Sequence, residues 1–174
     1  MSNPWSRASP LTWPLGPNQT TDNFSGLPNG QAKCLGVISP STLTQPFGDV
    51  ILPPWQYTTA AGPTAGNTIQ RYMLFSEDNV IWPGGINPTA ITDQSVALTT
   101  WLAADSAAVG GSLLDTITIQ SGAILYKSSW RSIRGLVGDV PTYMTVLVWN
   151  QSGVALAAFS ANNQSATYVL DTYV

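Results

Sequence analysis

Short apolar or alternating segments, each followed by turn-forming residues, recur along the chain from residue 32 onward. Regularly spaced short strands with turns between them are typical of an antiparallel sandwich or barrel. We therefore predict an all-β antiparallel domain over residues 32–174, a β-sandwich or jelly-roll/barrel of about eight to ten strands. The segments predicted as strands are 34–39, 49–52, 68–75, 79–82, 113–119, 123–127, 132–137, 142–149, 154–159 and 166–172.

The segment 142–149 is apolar at both alternating sets of positions. A strand of this kind is covered on both sides, so we predict a central position for it. One interior face is predicted to comprise Met144, Val146, Val148, Leu125 and Ile117, and the opposite face Leu147 and Trp149. Turn-forming residues at 77–78, 120–122 and 150–153 predict three tight hairpins.

Two segments depart from the strand pattern. Residues 93–109 are rich in Ala and end at Gly110 and Gly111, which favours the single short helix of the domain, with a strand over 95–101 as the alternative. Residues 1–31 contain five prolines spaced among small and polar residues and read as an arm or linker. Trp5 and Trp13 leave open a second interpretation, in which this segment lies against the domain.

Charge is scarce along the whole chain. Only 9% of the residues are charged, where about 25% is usual, and the net charge is −3. The six Lys and Arg residues form no basic stripe, so we expect no nucleic-acid binding. No apolar run approaches the ~20 residues of a membrane span, so we expect no membrane insertion.

Residues that carry common enzyme chemistry are largely missing from the sequence. It contains no His and a single Cys, which excludes Ser-His-Asp triads and His-based zinc sites. The nine carboxylates mostly border turn residues, where Asp commonly caps or turns the backbone. We therefore expect no enzyme, no cofactor and no metal site.

Aromatic residues stand out in two loops rich in Pro and Gly, 53–67 and 82–89. Flat amphipathic rings beside amide side chains could stack on a sugar or anchor a protein partner. The alternative is that Trp55 and Trp82 fill the ends of the barrel. The predicted receptor- or ligand-binding residues are Trp55, Tyr57, Asn67, Trp82 and Asn87.

A compact, charge-poor β domain with a Pro-rich N-terminal arm and no catalytic set resembles the protruding domain of small non-enveloped RNA-virus capsid proteins, nodavirus-like or tetravirus-like. The resemblance implies a surface spike on the virion that follows a hinge and attaches to a host receptor or glycan. It also implies clustering as dimers or trimers. The sequence departs from this family in lacking both a basic arm and an acidic calcium cluster. The alternative is a carbohydrate-binding, lectin-like module outside any capsid.

Overall fold

The computed structural model describes residues 5–7, 11–12, 24, 26–39, 48–60, 62–83, 88, 96–97, 112–120, 125–157 and 167–173. Within these residues the protein is built mainly from antiparallel strands and contains a short helix of five residues, α1 (Ile133–Val137), which confirms the all-β prediction. The described strands are β1 (Trp5–Arg7), β2 (Leu11–Thr12), β3 (Gln31–Cys34), β4 (Asp49–Leu52), β5 (Gln56–Thr58), β6 (Thr68–Ser76), β7 (Val96–Ala97), β8 (Ser112–Thr118), β9 (Leu125–Lys127), β10 (Arg131–Ser132), β11 (Tyr143–Gln151) and β12 (Thr167–Tyr173).

The strands form three antiparallel sheets. One has the order β7-β3-β11-β6-β8, and β6 and β11 pair along their full nine residues, from Thr68 opposite Gln151 to Ser76 opposite Tyr143. A second has the order β1-β12-β4-β10, with β2 also paired to β12. The third consists of β5 and β9 alone. The described parts of the N-terminal segment, β1 and β2, thus lie against the last strand of the chain.

The main hydrophobic core lies between the two larger sheets, as in a sandwich. Val50 and Leu52 from β4 share one cluster with Met73 from β6 and Val146 from β11. A second cluster on the far side of β11 contains Leu147. The prediction that residues 142–149 form a strand covered on both faces is therefore confirmed, because alternate side chains of β11 enter different clusters.

The predicted core set holds with one exception. Ile117 is buried in the main cluster, and Trp149 packs against the second one. Leu125 was placed wrongly, since its side chain is 48% exposed. The strand β9 pairs with β5 rather than with the large sheet, and in this position Tyr126 is the buried residue of β9, whereas Leu125 faces solvent.

The segment 132–137, predicted as a strand, contains α1 instead. Ser132 caps the helix, because its hydroxyl accepts a hydrogen bond from the Gly135 N–H at 2.8 Å. Asp49 on β4 accepts the Arg134 N–H at 2.8 Å, which adds a carboxylate at the positive end of the helix. Gly138 ends it with a left-handed φ of 88°. These capping contacts override the β-branched pattern of the segment.

Other predicted strands differ in extent. In place of 34–39 the strand is Gln31–Cys34, and beyond it Ile38 makes an isolated bridge to Met144. Residues 79–82 form no strand. Of the predicted strand 154–159, residues 158–159 lie outside the described residues, and in 154–157 only Leu156 makes a bridge, to Thr59. Of the predicted helix 93–109, only Val96 and Ala97 are described; they form β7, and the rest lies outside the described residues.

The three predicted hairpins are wrong. In the described part of the chain, residues 77–78 and 150–153 are not directly followed by a strand that pairs back onto β6 or β11, and β8 and β9, on either side of residues 120–122, pair with β6 and β5. Among the described strands, no two that follow each other in the chain are paired. Closing such long loops costs conformational entropy, which only the shared core between the sheets can offset.

Candidate functional site

Three of the five predicted binding residues lie in the interior. Trp55 is 2% exposed, Tyr57 is fully buried, and Trp82 lies in the second cluster beside Leu147. Asn67 is half-buried, and Asn87 lies outside the described residues. The rings therefore fill the core, as the alternative interpretation had it, and a role in receptor binding stays a prediction for the loops that contain them.

Trp55 and Tyr57 belong to an aromatic cluster under β5. The ring centroid of Phe24 lies 5.9 Å from that of Trp55 and 5.7 Å from that of Tyr57, in tilted arrangements that favour aromatic contact. The backbone N–H of Trp55 donates to the Ser128 hydroxyl at 2.7 Å, and the backbone N–H of Ser128 donates to the Trp55 carbonyl at 3.0 Å. The cluster joins the small sheet to the core.

Next to this cluster lies a buried ion pair. The Arg71 guanidinium donates to both oxygens of Asp115, from Nε and from Nη2, each at 2.8 Å. It also lies over the Trp55 ring, 4.7 Å from the centroid. Arg71 itself is 0% exposed. Such a fork-to-carboxylate pair is fixed in geometry, so it orders β6 against β8.

The protonation of this buried group is set by its surroundings. Burial alone would lower the pKa of Arg71, but the charge interaction with Tyr57 and the hydrogen bonds and attraction of Asp115 together raise it, so the guanidinium keeps its charge. Burial raises the pKa of Tyr57, which therefore stays neutral. Arg71, Asp115 and Tyr57 are all enclosed by the core, so they are not accessible to a partner in solution.

The outer surface offers more to a partner. Residues 76–82, called the 76–82 loop, are ordered by Asp78, whose Oδ1 accepts the N–H groups of Val80 and Ile81, each at 2.8 Å. These two bonds lower the pKa of Asp78. The bonds to the ionised carboxylate are therefore fully present above the ordinary Asp pKa and are lost as pH falls through the lowered one.

The 76–82 loop presents two aliphatic side chains to solvent. Val80 is 78% exposed and Ile81 is 75% exposed, while the next residue, Trp82, is buried and anchors the loop. Asn79 takes a left-handed φ of 59°, which Asn tolerates better than most residues. Glu77 accepts a hydrogen bond from the Thr142 hydroxyl at 2.8 Å. The exposed tip, Val80 and Ile81, is thus held on an ordered backbone.

A second apolar feature lies beside α1. A cavity of about 440 Å³, called the α1 groove, is open to the surface. Trp130, at its edge, is 54% exposed, and Leu136 on α1 is 37% exposed. The groove is lined by Leu114, Trp130, Arg131, Ser132, Gly135 and Leu136.

One positive charge lines the α1 groove. The Arg131 guanidinium donates to the carbonyls of Leu114 and Trp130. Within the described part of the chain, no carboxylate pairs with it. The groove therefore combines apolar walls with a cation whose charge is not neutralised by those residues.

The predicted 53–67 loop keeps an exposed section. Ala60, Gly62, Thr64, Ala65 and Gly66 are exposed. The loop is tied down at several points, since the Thr64 N–H donates to the Ser152 carbonyl at 2.8 Å and the Gly66 N–H to the Ile119 carbonyl at 3.0 Å. A partner can therefore reach this section of the loop, although the aromatic residues of the same loop, Trp55 and Tyr57, are buried.

Sequence reasoning missed the most exposed apolar residues. Val80 and Ile81 lay inside the predicted strand 79–82, and Trp130 received no role. The signal for the first pair was Ser76 followed by Asp78 and Asn79, a spacing that lets a side-chain oxygen bond the backbone two or three residues ahead. No local signal marks Trp130 as an exposed residue at the edge of a groove.

The described residues contain no group of three or more His, Cys, Asp or Glu side chains placed to hold a metal ion. None of the helices described there has the length and apolar character needed to cross a membrane. The single Cys34 is buried, and burial raises its pKa.

No protein family, curated protein or solved structure matched the chain.

Proposed function

We propose that this chain is a non-catalytic surface module that associates with copies of itself and attaches to a host surface, as the protruding domain of a small non-enveloped RNA-virus capsid would. The observation that carries the proposal is the pair of exposed aliphatic residues, Val80 and Ile81, held on an ordered loop. Large exposed apolar side chains on a rigid backbone favour contact with another protein surface.

The low charge of the chain supports the same proposal. With six basic and nine acidic residues in 174, mutual repulsion between copies is weak. Spikes crowded on one particle need only weak contacts, because tethering raises their effective concentration to the order of millimolar. The location that this proposal gives the chain is the virion surface, with a host receptor or glycan as partner.

The exposed section of the 53–67 loop is the proposed attachment surface. We expect Ala65→Arg to abolish binding of the chain, displayed in many copies on beads, to a panel of host cells. Ala65 is exposed, so the bulky charge should block contact while stability stays within about 0.5 kcal/mol. Flow cytometry measures the binding, and thermal melting measures the stability.

Thr116→Arg is the matched control, because it adds the same side chain at an exposed position on β8. Binding should survive this change. Equal binding by wild type and Ala65→Arg would contradict the placement of the attachment surface. A wild-type chain that binds none of the cells would contradict attachment itself.

A carbohydrate-binding, lectin-like module is the second candidate function, favoured by Trp130 at the edge of the α1 groove. Exposed Trp faces stack on sugar rings, and Arg131 in the groove can donate hydrogen bonds. On this hypothesis Trp130→Ala lowers the affinity for glycans on an array at least ten-fold, which corresponds to about 1.4 kcal/mol of binding free energy. Leu125→Ala, at another exposed apolar position, should leave it unchanged. An array on which the wild type binds no glycan would reject the lectin hypothesis.

A further inference from the structure

The exposed tip of the 76–82 loop, Val80 and Ile81, is suited to insert into an apolar groove on another surface. Val80 and Ile81 project from a backbone fixed by the Asp78 carboxylate and anchored by Trp82. Because the backbone is already ordered, little conformational entropy is lost when the tip binds. A receiving surface therefore needs apolar walls and room for two aliphatic side chains.

The α1 groove supplies both. Its volume of about 440 Å³ is nearly three times the ~150 Å³ of an engineered apolar cavity that holds benzene. Trp130 and Leu136 give it apolar walls that are partly open to solvent. The groove shares no residue with the 76–82 loop, so the two surfaces can be occupied independently.

The charges around the two cavities next to α1 indicate which of them the loop tip of another copy would enter. Glu77 and Asp78 lie just before the loop tip in the chain, and both are exposed. The α1 groove contains Arg131, whereas the other cavity, of about 310 Å³, is lined by Glu77 and by Asp139. An acidic loop entering the second cavity would meet like charges, while in the α1 groove it would meet a cation.

We propose that Val80 and Ile81 of one copy of the chain insert into the α1 groove of a second copy. This rests on the proposed self-association and names the surfaces that carry it. Burial of the tip removes apolar area from water on both partners. Glu77 and Asp78 then lie near Arg131 of the neighbouring copy.

The symmetry of the assembly depends on whether the contact is reciprocal. If two copies exchange tips, each tip enters the groove of the other copy and a two-fold dimer contains two identical contacts. If each copy uses its tip on one neighbour and its groove on another, the contact closes into a ring of three or more copies or continues as an open chain. The tip-to-groove contact is therefore compatible with both the dimer and the trimer.

The experiment uses sedimentation of the full chain at up to about 1 mM, the concentration that tethering can provide. The tip variant carries Val80→Ser and Ile81→Ser, and the groove variant carries Leu136→Asp. Each should weaken self-association at least ten-fold. Leu125→Ser, at an exposed apolar position outside both surfaces, is the control and should associate as the wild type does.

Mixing the two variants gives the decisive measurement. In an equimolar mixture, the intact tip of the groove variant can enter the intact groove of the tip variant. The mixture should form a pair of two different copies and stop there, because the remaining two surfaces are both mutated. Should Leu136→Asp lower the melting temperature, Leu136→Ser provides the same test.

Three results would overturn the inference: a wild type that remains monomeric at about 1 mM, variants that associate as strongly as the wild type, or a mixture that stays monomeric while each variant has lost association. Attachment is measured separately, by cell binding of beads carrying wild type or Ala65→Arg. A wild type that is monomeric but still binds cells would contradict this contact and support the attachment proposal. A wild type that forms oligomers but binds no cells would support this contact and contradict the attachment proposal.

Discussion

Asp115→Ala should lower the free energy of unfolding by about 3 to 5 kcal/mol, since it leaves the buried Arg71 guanidinium without its carboxylate. Arg71 is fully buried, so water cannot replace the lost partner at its usual strength. Urea unfolding followed by tryptophan fluorescence measures the change. A loss below about 1 kcal/mol would mean that the pair is more accessible than its burial indicates.

The double variant Arg71→Met with Asp115→Leu separates charge from packing. Replacing a buried pair with apolar residues of similar size is often neutral or stabilising, so the double variant should be clearly more stable than Asp115→Ala. The Ser129 N–H, which donates to Asp115 at 3.0 Å, belongs to an exposed residue and can bond water instead. A double variant as unstable as the single one would show that the ion pair has no apolar substitute.

Trp55→Ala should destabilise the protein by a similar amount, about 3 to 5 kcal/mol, because it removes a large side chain from a closed core. The change also removes the ring beneath Arg71 and the contact with Phe24. The melting temperature should fall by on the order of 10 °C in a chain of this length. Differential scanning calorimetry gives both quantities.

Trp130→Ala is the matched control, since it deletes the same ring at a position that is 54% exposed. Its effect on stability should stay below about 1 kcal/mol. Equal losses for the two variants would contradict the core position of Trp55. Intact stability in Trp55→Ala would return this residue to the set of candidate binding residues.

The sequence was informative where burial follows a simple period. Alternation placed β6, β8, β11 and β12 within one or two residues, and residues 49–52 match β4 at both ends. The two apolar faces of β11 predicted its central position. The same alternation along β6 puts Arg71 in line with Ile69 and Met73, an inward position that its charge concealed.

The candidate site was less accessible to sequence reasoning. Trp and Tyr are amphipathic, so their occurrence in loops rich in Pro fits both a binding surface and a core contact. Trp55, Tyr57 and Trp82 proved to be core residues, whereas Val80, Ile81 and Trp130 are the exposed ones. The difference is set by the elements that cover each residue, and those come from distant parts of the chain.

Composition and a period of two are enough to predict an all-β chain, poor in charge, with a central strand buried on both faces. The pairing of the strands, the helix at residues 133–137 with its caps Ser132 and Asp49, and the exposure of apolar side chains instead depend on tertiary contacts. Pairing, capping and exposure each require two segments distant in sequence to meet, and the free energy that holds them together comes from a core that exists only once the sheets have packed.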